Sequence, residues 1–195
     1  MAGKRPAPRL QILDDKQMNA QQRALVAAMR AGPRGKIEVR GPFAAFIHAP
    51  VFGNLAQSLG AHCRYNTAVP PRLSEFAILC TARLWRAQYE WYAHEPMALK
   101  AGVAAQTVRD LKAGRAPKKA KKDERAIYDF VQELYKARRV SDATYKKLRA
   151  FLDDSSIVEL VGILGYYALI SMTLNVFRML PPTEAELAFA EPSGR

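Results

Sequence analysis

Thiol and imidazole groups are scarce in this chain. It has two cysteines and three histidines among 195 residues, and it contains no CxxC pair. Cys63 and Cys80 are 17 positions apart (80 − 63), a spacing that matches neither a disulfide framework nor a zinc site. We therefore expect no metal centre, and we expect the two cysteines to be small, buried, reduced side chains in the cytoplasm.

Acidic residues are few relative to basic ones. The chain has 30 Lys and Arg against 18 Asp and Glu, a net charge of +12, and such a balance suggests a nucleic-acid partner. The charge, however, is concentrated in the N-terminal MAGKRPAPRL and in KAGRAPKKAKKDER, 112–125, which is typical of a solvated loop between two helices. Since no zinc-finger, RNA-recognition or Gly-rich phosphate motif accompanies it, we predict no nucleic-acid partner.

Long apolar runs are also rare. No apolar run follows the basic N-terminus, so no secretory signal is predicted. One stretch, 155–180, resembles a membrane span, but Glu159, Ser171 and Asn175 interrupt it. Its uninterrupted part is about 11 residues, and a bilayer needs roughly 20. The pattern favours a buried core helix, no membrane contact and a cytoplasmic protein. Some neighbours of such a helix could come from another subunit.

The sequence contains almost no alternating strand pattern. Nearly every periodic segment predicts helix, so we expect an all-α protein with one helical-bundle domain over 15–180. A basic flexible arm (1–14) precedes it, and a C-terminal tail (181–195) follows. The predicted helices are 15–31, a short helix or turn at 41–50, 51–63, one starting near 72, 88–101, 104–113, 123–138, 142–152 and 155–180, with IEVR, 37–40, as a weak strand or extended segment.

The candidate acid–base residues are concentrated in AQYEWYAHEP, 87–96, which contains neither Lys nor Arg. Glu90 and His94 are four apart, so they share one face of a helix. A carboxylate there orients the imidazole and favours its protonated form, which is the usual arrangement for acid–base catalysis. Glu75 lies in an otherwise apolar run and needs a partner. A short connection between two helices could bring it to His94.

Three further side chains are candidate substrate-binding residues. Tyr89 and Trp91 interleave with the titratable groups, as in a partly buried pocket wall, although such rings are often core. His48, in FIHAP, is a candidate pocket residue. The alternative for His48 is an imidazole at a helix end, bonded to the backbone.

RLSEFAILCTARLWRAQYEWYAHEPMALKAGV, 72–103, resembles the signature region of the carboxymuconolactone decarboxylase and alkylhydroperoxidase D-like superfamily. The redox branch of that superfamily has a Glu, a CxxC pair and a His four positions after the second Cys. Glu75 and His94 match its Glu and His at the same spacing of 19 (94 − 75), whereas Ala87 and Glu90 replace the two thiols. Residues 43–72 and 160–177 resemble family helices as well.

This resemblance implies the cysteine-less branch, because thiol peroxidase chemistry needs a thiolate and a resolving Cys. The implied protein is an all-helical carbon–carbon lyase of aromatic compound catabolism that decarboxylates a small organic acid or lactone. His94 would donate the proton. Glu90 would hold the imidazole of His94, and Glu75 would tune the pKa of His94 or relay a proton. No cofactor is implied, since the substrate provides the electron sink. The family also implies a homo-oligomer, a trimer or a hexamer built from two trimers.

Two alternatives remain open at this point. The same residues could catalyse isomerisation, hydration or lactone opening on a related small molecule. The Glu–His group could also be only a structural network in a non-catalytic, oligomeric binding protein.

Overall fold

The computed structural model describes residues 5–190, and this part of the chain is helical without any strand. The all-α prediction is therefore confirmed for these residues. IEVR, 37–40, is irregular and not a strand. The helices are α1 Ala20–Ala31, α2 Pro42–Phe46, α3 Pro50–Tyr65, α4 Pro71–Trp85, α5 Gln88–Lys100, α6 Ala105–Lys112, α7 Lys122–Ala137, α8 Asp142–Arg149 and α9 Asp154–Phe177.

Local capping sets where the first helices begin. α1 begins at Ala20 and not at residue 15, because Asn19 and Gln22 form a reciprocal capping box in which each side chain accepts from the other's backbone N–H. α2, α3 and α4 each have proline in the first turn, where its fixed φ suits the helix and its missing N–H costs nothing.

α9 is the central helix of the bundle. It packs against α2, α3, α4 and α5, and its buried residues include Leu160, Ile163 and Leu174. By length and composition it could cross a membrane, with a mean hydropathy of 1.8, but half of its most apolar window is buried inside the protein. A core helix of a globular bundle has the same composition, and the packing of α9 agrees with that interpretation.

The apolar residues of α3 face outward, which the sequence pattern does not reveal. Val51, Leu55 and Leu59 are 72%, 70% and 49% exposed. The buried face of α3 consists mainly of small residues, among them Gly53 and Gly60. Small residues allow the helix backbone to approach α2 and α9 closely, so the larger apolar side chains are left on the surface.

Both ends of the described chain are attached to the bundle. Arg5 donates to backbone carbonyls of 181–185, and the backbone N–H of Arg9 donates to the carbonyl of Phe177. Phe189 is buried at the α4–α5 corner. Residues 1–4 and 191–195 of the predicted arm and tail lie outside the described part.

The basic segment 112–125 includes the loop between α6 and α7, as predicted. Ion pairs hold both of its ends: Arg115 pairs with Asp110, and Arg72 of α4 pairs with Asp123 and Glu124 at the start of α7. No binding partner of this loop follows from these contacts.

Both cysteines are free and buried. Burial raises the pKa of the Cys63 and Cys80 thiols, so both are neutral near pH 7. The burial of both thiols agrees with the prediction of small, buried side chains.

Candidate active site

A two-residue corner brings α4 and α5 together. Arg86 ends α4 in the left-handed conformation, with φ of 50°, and Ala87 precedes α5 as its N-cap. The two helices pack against each other over much of their length. Glu75 near the start of α4 therefore faces His94 in the second turn of α5.

The structure places His94 between two carboxylates. Its Nδ1 is 2.7 Å from Oε2 of Glu75, and its Nε2 is 3.0 Å from Oε1 of Glu90. The exposed fractions of the three side chains are 4% for His94, 5% for Glu90 and 12% for Glu75. All three predicted acid–base residues thus meet in one sheltered cluster, and Glu75 is the member that solvent reaches most easily. We call these three residues the Glu–His–Glu cluster.

The electrostatics of the cluster favour an imidazolium. Burial lowers the pKa of His94 and is the largest single effect. The charges of Glu90 and Glu75, together with hydrogen bonds to both carboxylates, outweigh it and raise the pKa from 6.5 to about 9. At neutral pH both ring nitrogens therefore carry protons, and each proton is donated to a carboxylate.

This geometry changes the predicted role of His94. The ring has no free N–H with which to protonate a substrate directly, since both nitrogens are engaged. A proton that leaves the imidazole must pass through Glu75 or Glu90. The arrangement can therefore act as a relay whose outer member is a carboxylate, and Glu75 is the better placed of the two because it is more exposed.

Tyr167 of α9 completes the surroundings of the imidazole, and sequence reasoning did not identify it. Its ring lies edge-on to His94, with centroids 5.0 Å apart. Burial, followed by the charges of Glu90 and Glu75, raises the pKa of Tyr167 far above 10, so the phenol stays protonated. Its only signal in the sequence is a Tyr pair, 166–167, within an otherwise aliphatic helix.

The predicted substrate-binding residues do not form one pocket wall. Trp91 is 1% exposed and packs edge-on against Phe189, which corresponds to the core alternative. Tyr89 is partly buried against Gly41 and Tyr92.

His48 is exposed, and its Nε2 is 2.9 Å from the backbone carbonyl of Gln11. This matches the backbone-bonded alternative for that histidine. Its substrate-binding role stays a prediction without support from this contact.

The two cavities described on the protein lie away from the cluster. One, of about 120 Å³, lies among α4, α6 and α7 and includes Cys80 and Arg83; the other, of about 360 Å³, lies between α1 and α3. Neither is lined by Glu75, Glu90 or His94.

Comparisons with known proteins give matches at the level of structure alone. No family model matches the sequence, and no curated protein matches it. An AhpD-core, uncharacterised peroxidase-related protein from Ralstonia eutropha superposes with a TM-score of 0.73 at 16% identity, over 92% of this chain and 94% of its own.

Two further solved structures are similar. An uncharacterised peroxidase-related protein from Silicibacter has a TM-score of 0.72 at 14% identity, over 94% of this chain and 97% of its own. A protein of unknown function from Agrobacterium tumefaciens, provisionally named antioxidant defence protein AhpD, has a TM-score of 0.65 at 18% identity, over 72% of this chain and 97% of its own. At these identities the likeness concerns the fold, and the chain has the all-helical AhpD-like fold that its signature region predicts.

Proposed function

We propose that this protein is an acid–base enzyme that decarboxylates a small organic acid or lactone by means of the Glu–His–Glu cluster. The observation that carries the proposal is the buried imidazole of His94, bonded to a carboxylate at each nitrogen. Strongly perturbed titratable groups in a sheltered cluster are typical of functional sites.

In the proposed reaction the bond between the α-carbon and the departing carboxylate breaks, and CO₂ leaves. The electron pair stays on the substrate as a dienolate-like carbanion. Glu75 passes a proton from the Nδ1–H of His94 to this carbon, and water reprotonates the cluster after product release. Glu90 stabilises the positive ring from the other side. The reaction needs no cofactor in this scheme, because the conjugated substrate accepts the electron pair.

Thiol peroxidase chemistry is a poor match for these residues, although two similar structures carry the name peroxidase-related. Ala87 and Glu90 stand at the positions of the redox thiols. Cys63 and Cys80 are buried with raised pKa values, so neither supplies a thiolate at neutral pH.

We further propose that the protein self-associates as a trimer or hexamer in the cytoplasm. Val51, Leu55 and Leu59 form an exposed apolar stripe on α3, and Val158 and Val161 extend the apolar surface on α9. Because α3 and α9 are in contact, these side chains lie on neighbouring helices. Exposed apolar surface of this kind commonly marks an interface.

The same patch favours one alternative function, a non-catalytic assembly protein whose Glu–His–Glu cluster is only structural. The absence of the three cluster residues from both described cavities agrees with this alternative. Kinetics separate the two, since an assembly protein has no turnover.

The experiment measures CO₂ release from carboxymuconolactone by the wild type, His94→Ala, Glu75→Gln and Glu90→Gln. We expect each variant to lose about 10²–10⁴-fold in kcat, the usual contribution of general acid–base catalysis. His62→Ala is the control, because that histidine is exposed on α3 and pairs with Glu159. Equal turnover in wild type and cluster variants would remove the proposal. If the protein catalyses only isomerisation or lactone opening, the three residues keep their catalytic role but the proposed decarboxylation is wrong.

A further inference from the structure

The smaller of the two cavities, of about 120 Å³, lies among α4, α6 and α7, apart from the Glu–His–Glu cluster. Its wall contains two guanidinium groups, a phenol and an amide, from Arg83, Arg115, Tyr128 and Gln132, and among the described residues no carboxylate lines it. Pockets for drug-sized ligands usually have roughly 300 Å³ or more. This cavity therefore suits one small polar group and not a large organic molecule.

Arg83 is a cation of this wall that has no carboxylate partner in the described part of the chain. Arg115 differs, because its Nη2 is 3.0 Å from Oδ1 of Asp110. The Nε of Arg83 donates to the carbonyl oxygen of Lys112 at 3.1 Å, and its Cζ lies over the ring of Phe189, 5.2 Å from the centroid. Neither contact uses Nη1 or Nη2. These N–H groups match the geometry of an oxyanion.

Gly114 lets the loop after α6 pass close to this guanidinium. Residue 114 has a φ of +72°, and a Cβ added there would clash with Nη2 of Arg83. The loop can take this path because glycine has no side chain and tolerates positive φ. Arg83 is thus held by a carbonyl, an aromatic ring and the loop backbone together. A cation that is already fixed in place loses little conformational entropy when it binds a ligand.

Tyr128 and Gln132 add neutral donors to the same wall. They are four positions apart on α7, so they lie on one face of that helix. Burial raises the pKa of Tyr128, so its phenol stays protonated and can donate. In the described part of the chain, neither side chain has a hydrogen bond to another protein group. The guanidinium of Arg125 lies over the ring of Tyr128, 5.6 Å from its centroid, and adds a positive charge nearby.

The basic segment 112–125 contributes Gly114 and Arg115 to the cavity. It contains seven Lys and Arg residues and two acidic residues. Both acidic residues, Asp123 and Glu124, pair with Arg72 of α4. The segment therefore has a positive field beside the cavity, and such a field raises the local concentration of anions.

We propose that this cavity binds a phosphate group through Arg83 and Arg115, with Tyr128 and Gln132 as neutral donors. A phosphate dianion has more acceptor oxygens and more charge than a carboxylate, so it can use more of the donors that meet here. The group can be inorganic phosphate or the phosphate of a small monoester. This site goes beyond the proposed function and does not depend on it, because none of the cluster residues lines the cavity.

The experiment measures binding of inorganic phosphate to the full chain by calorimetry at low ionic strength. Acetate at the same ionic strength is the comparison, because it is a carboxylate with a single charge. We expect phosphate to bind at least about tenfold more tightly than acetate, the usual value of one charge-assisted hydrogen bond. Methyl phosphate separates the two sources. Equal binding of methyl phosphate indicates a monoester as the ligand, and much weaker binding indicates free phosphate.

Three variants change the wall of the cavity. Arg83→Met keeps the alkyl stem but removes the charge, and it should weaken phosphate binding about tenfold or more. Gly114→Ala keeps the net charge but displaces the guanidinium, so it should also weaken binding. Gln132→Met removes one neutral donor and should weaken binding about threefold. Arg139→Met is the matched control, because it removes one exposed positive charge after α7, outside the cavity, and it should bind phosphate as the wild type does.

Several outcomes would overturn the site. The wild type could fail to bind phosphate, or could bind acetate equally well. Equal weakening by Arg83→Met and Arg139→Met would show that only net charge matters. His94→Ala should bind phosphate normally, and a loss there would place the anion at the Glu–His–Glu cluster instead. Urea unfolding without phosphate checks that each variant folds, and Gln132→Met decides the question if Arg83→Met does not fold.

Discussion

The Nδ1 of His94 lies 2.7 Å from Oε2 of Glu75, which is nineteen positions earlier in the chain. The contact depends on the tight corner at Arg86 and Ala87, which turns α5 back onto α4. With Glu90 on the opposite nitrogen, the ring is fixed in orientation and in protonation state. Any chemistry at this site therefore begins from an imidazolium.

The first prediction concerns the pKa of His94. Nuclear magnetic resonance of the imidazole should show a pKa of about 9, because two carboxylates outweigh the effect of burial. Glu90→Gln removes one of them and should lower the pKa by at least one unit. A wild-type pKa near 6.5 would show that the cluster does not hold a charged ring.

The second prediction is the pH dependence of stability. The folded-state pKa of His94 is raised, from 6.5 to about 9, so its contribution is fully present below pH 6.5 and is lost as the pH rises through 9. The full effect is on the order of 3 kcal/mol. The free energy of unfolding of the wild type, measured with urea, should fall more between pH 7 and 10 than that of His94→Gln. Parallel curves for the two proteins would contradict the prediction.

Sequence reasoning was sufficient for features that depend on local spacing. The helices follow from periodicity, and the pairing of His94 with Glu90 follows from the i, i+4 rule. The corner between α4 and α5 needs only a two-residue connection, so the approach of Glu75 could be anticipated. The main error of local reasoning was the start of α1, because the capping side chain of Asn19 makes the helix begin at Ala20, later than the apolar pattern predicts.

Features that depend on the crossing of several helices could not be predicted. Tyr167 comes from α9, far from the α4–α5 corner in sequence. Its contact with His94 is set by the packing of α9 on α4 and α5. The outward direction of Leu55 was also hidden, because α3 has apolar residues on one face and small residues on the other. Only the packed bundle shows which face is buried.

The third prediction concerns the contact between α3 and α9. A Cβ added at Gly60 would lie 2.0 Å from the hydroxyl oxygen of Tyr166, so Gly60→Ala should destabilise the protein by about 1–3 kcal/mol. Gly162→Ala is the matched control, because nothing lies within 4 Å of its added Cβ. A helix-interior alanine there should stabilise the chain by up to about 1 kcal/mol. Urea unfolding measures both, and equal stability of the two variants would contradict the close packing of α3 on α9.

The fourth prediction concerns the C-terminal segment at the α4–α5 corner. The amide of Gln88 bonds to both the N–H and the carbonyl of Phe189, and the ring of Phe189 packs on Trp91. Phe189→Ala should therefore lower the free energy of unfolding by about 2–4 kcal/mol and change the tryptophan fluorescence. Phe151→Ala is the control, because that ring is 45% exposed and should have a small effect. Unchanged stability in Phe189→Ala would show that the segment is not fixed to the corner.

The last prediction tests the exposed apolar stripe on α3. Leu55 is 70% exposed and contributes little to the core of a single chain, so Leu55→Glu should leave folding intact. If the stripe is an interface, a buried carboxylate there would face apolar partners at a cost of several kcal/mol, and the assembly should dissociate. Sedimentation equilibrium should then show a multimer for the wild type and a single chain for Leu55→Glu. Tyr145→Glu also introduces a carboxylate at an exposed position, on α8 outside the stripe, and should stay multimeric. A monomeric wild type, or an intact multimer in Leu55→Glu, would show that this stripe does not join subunits.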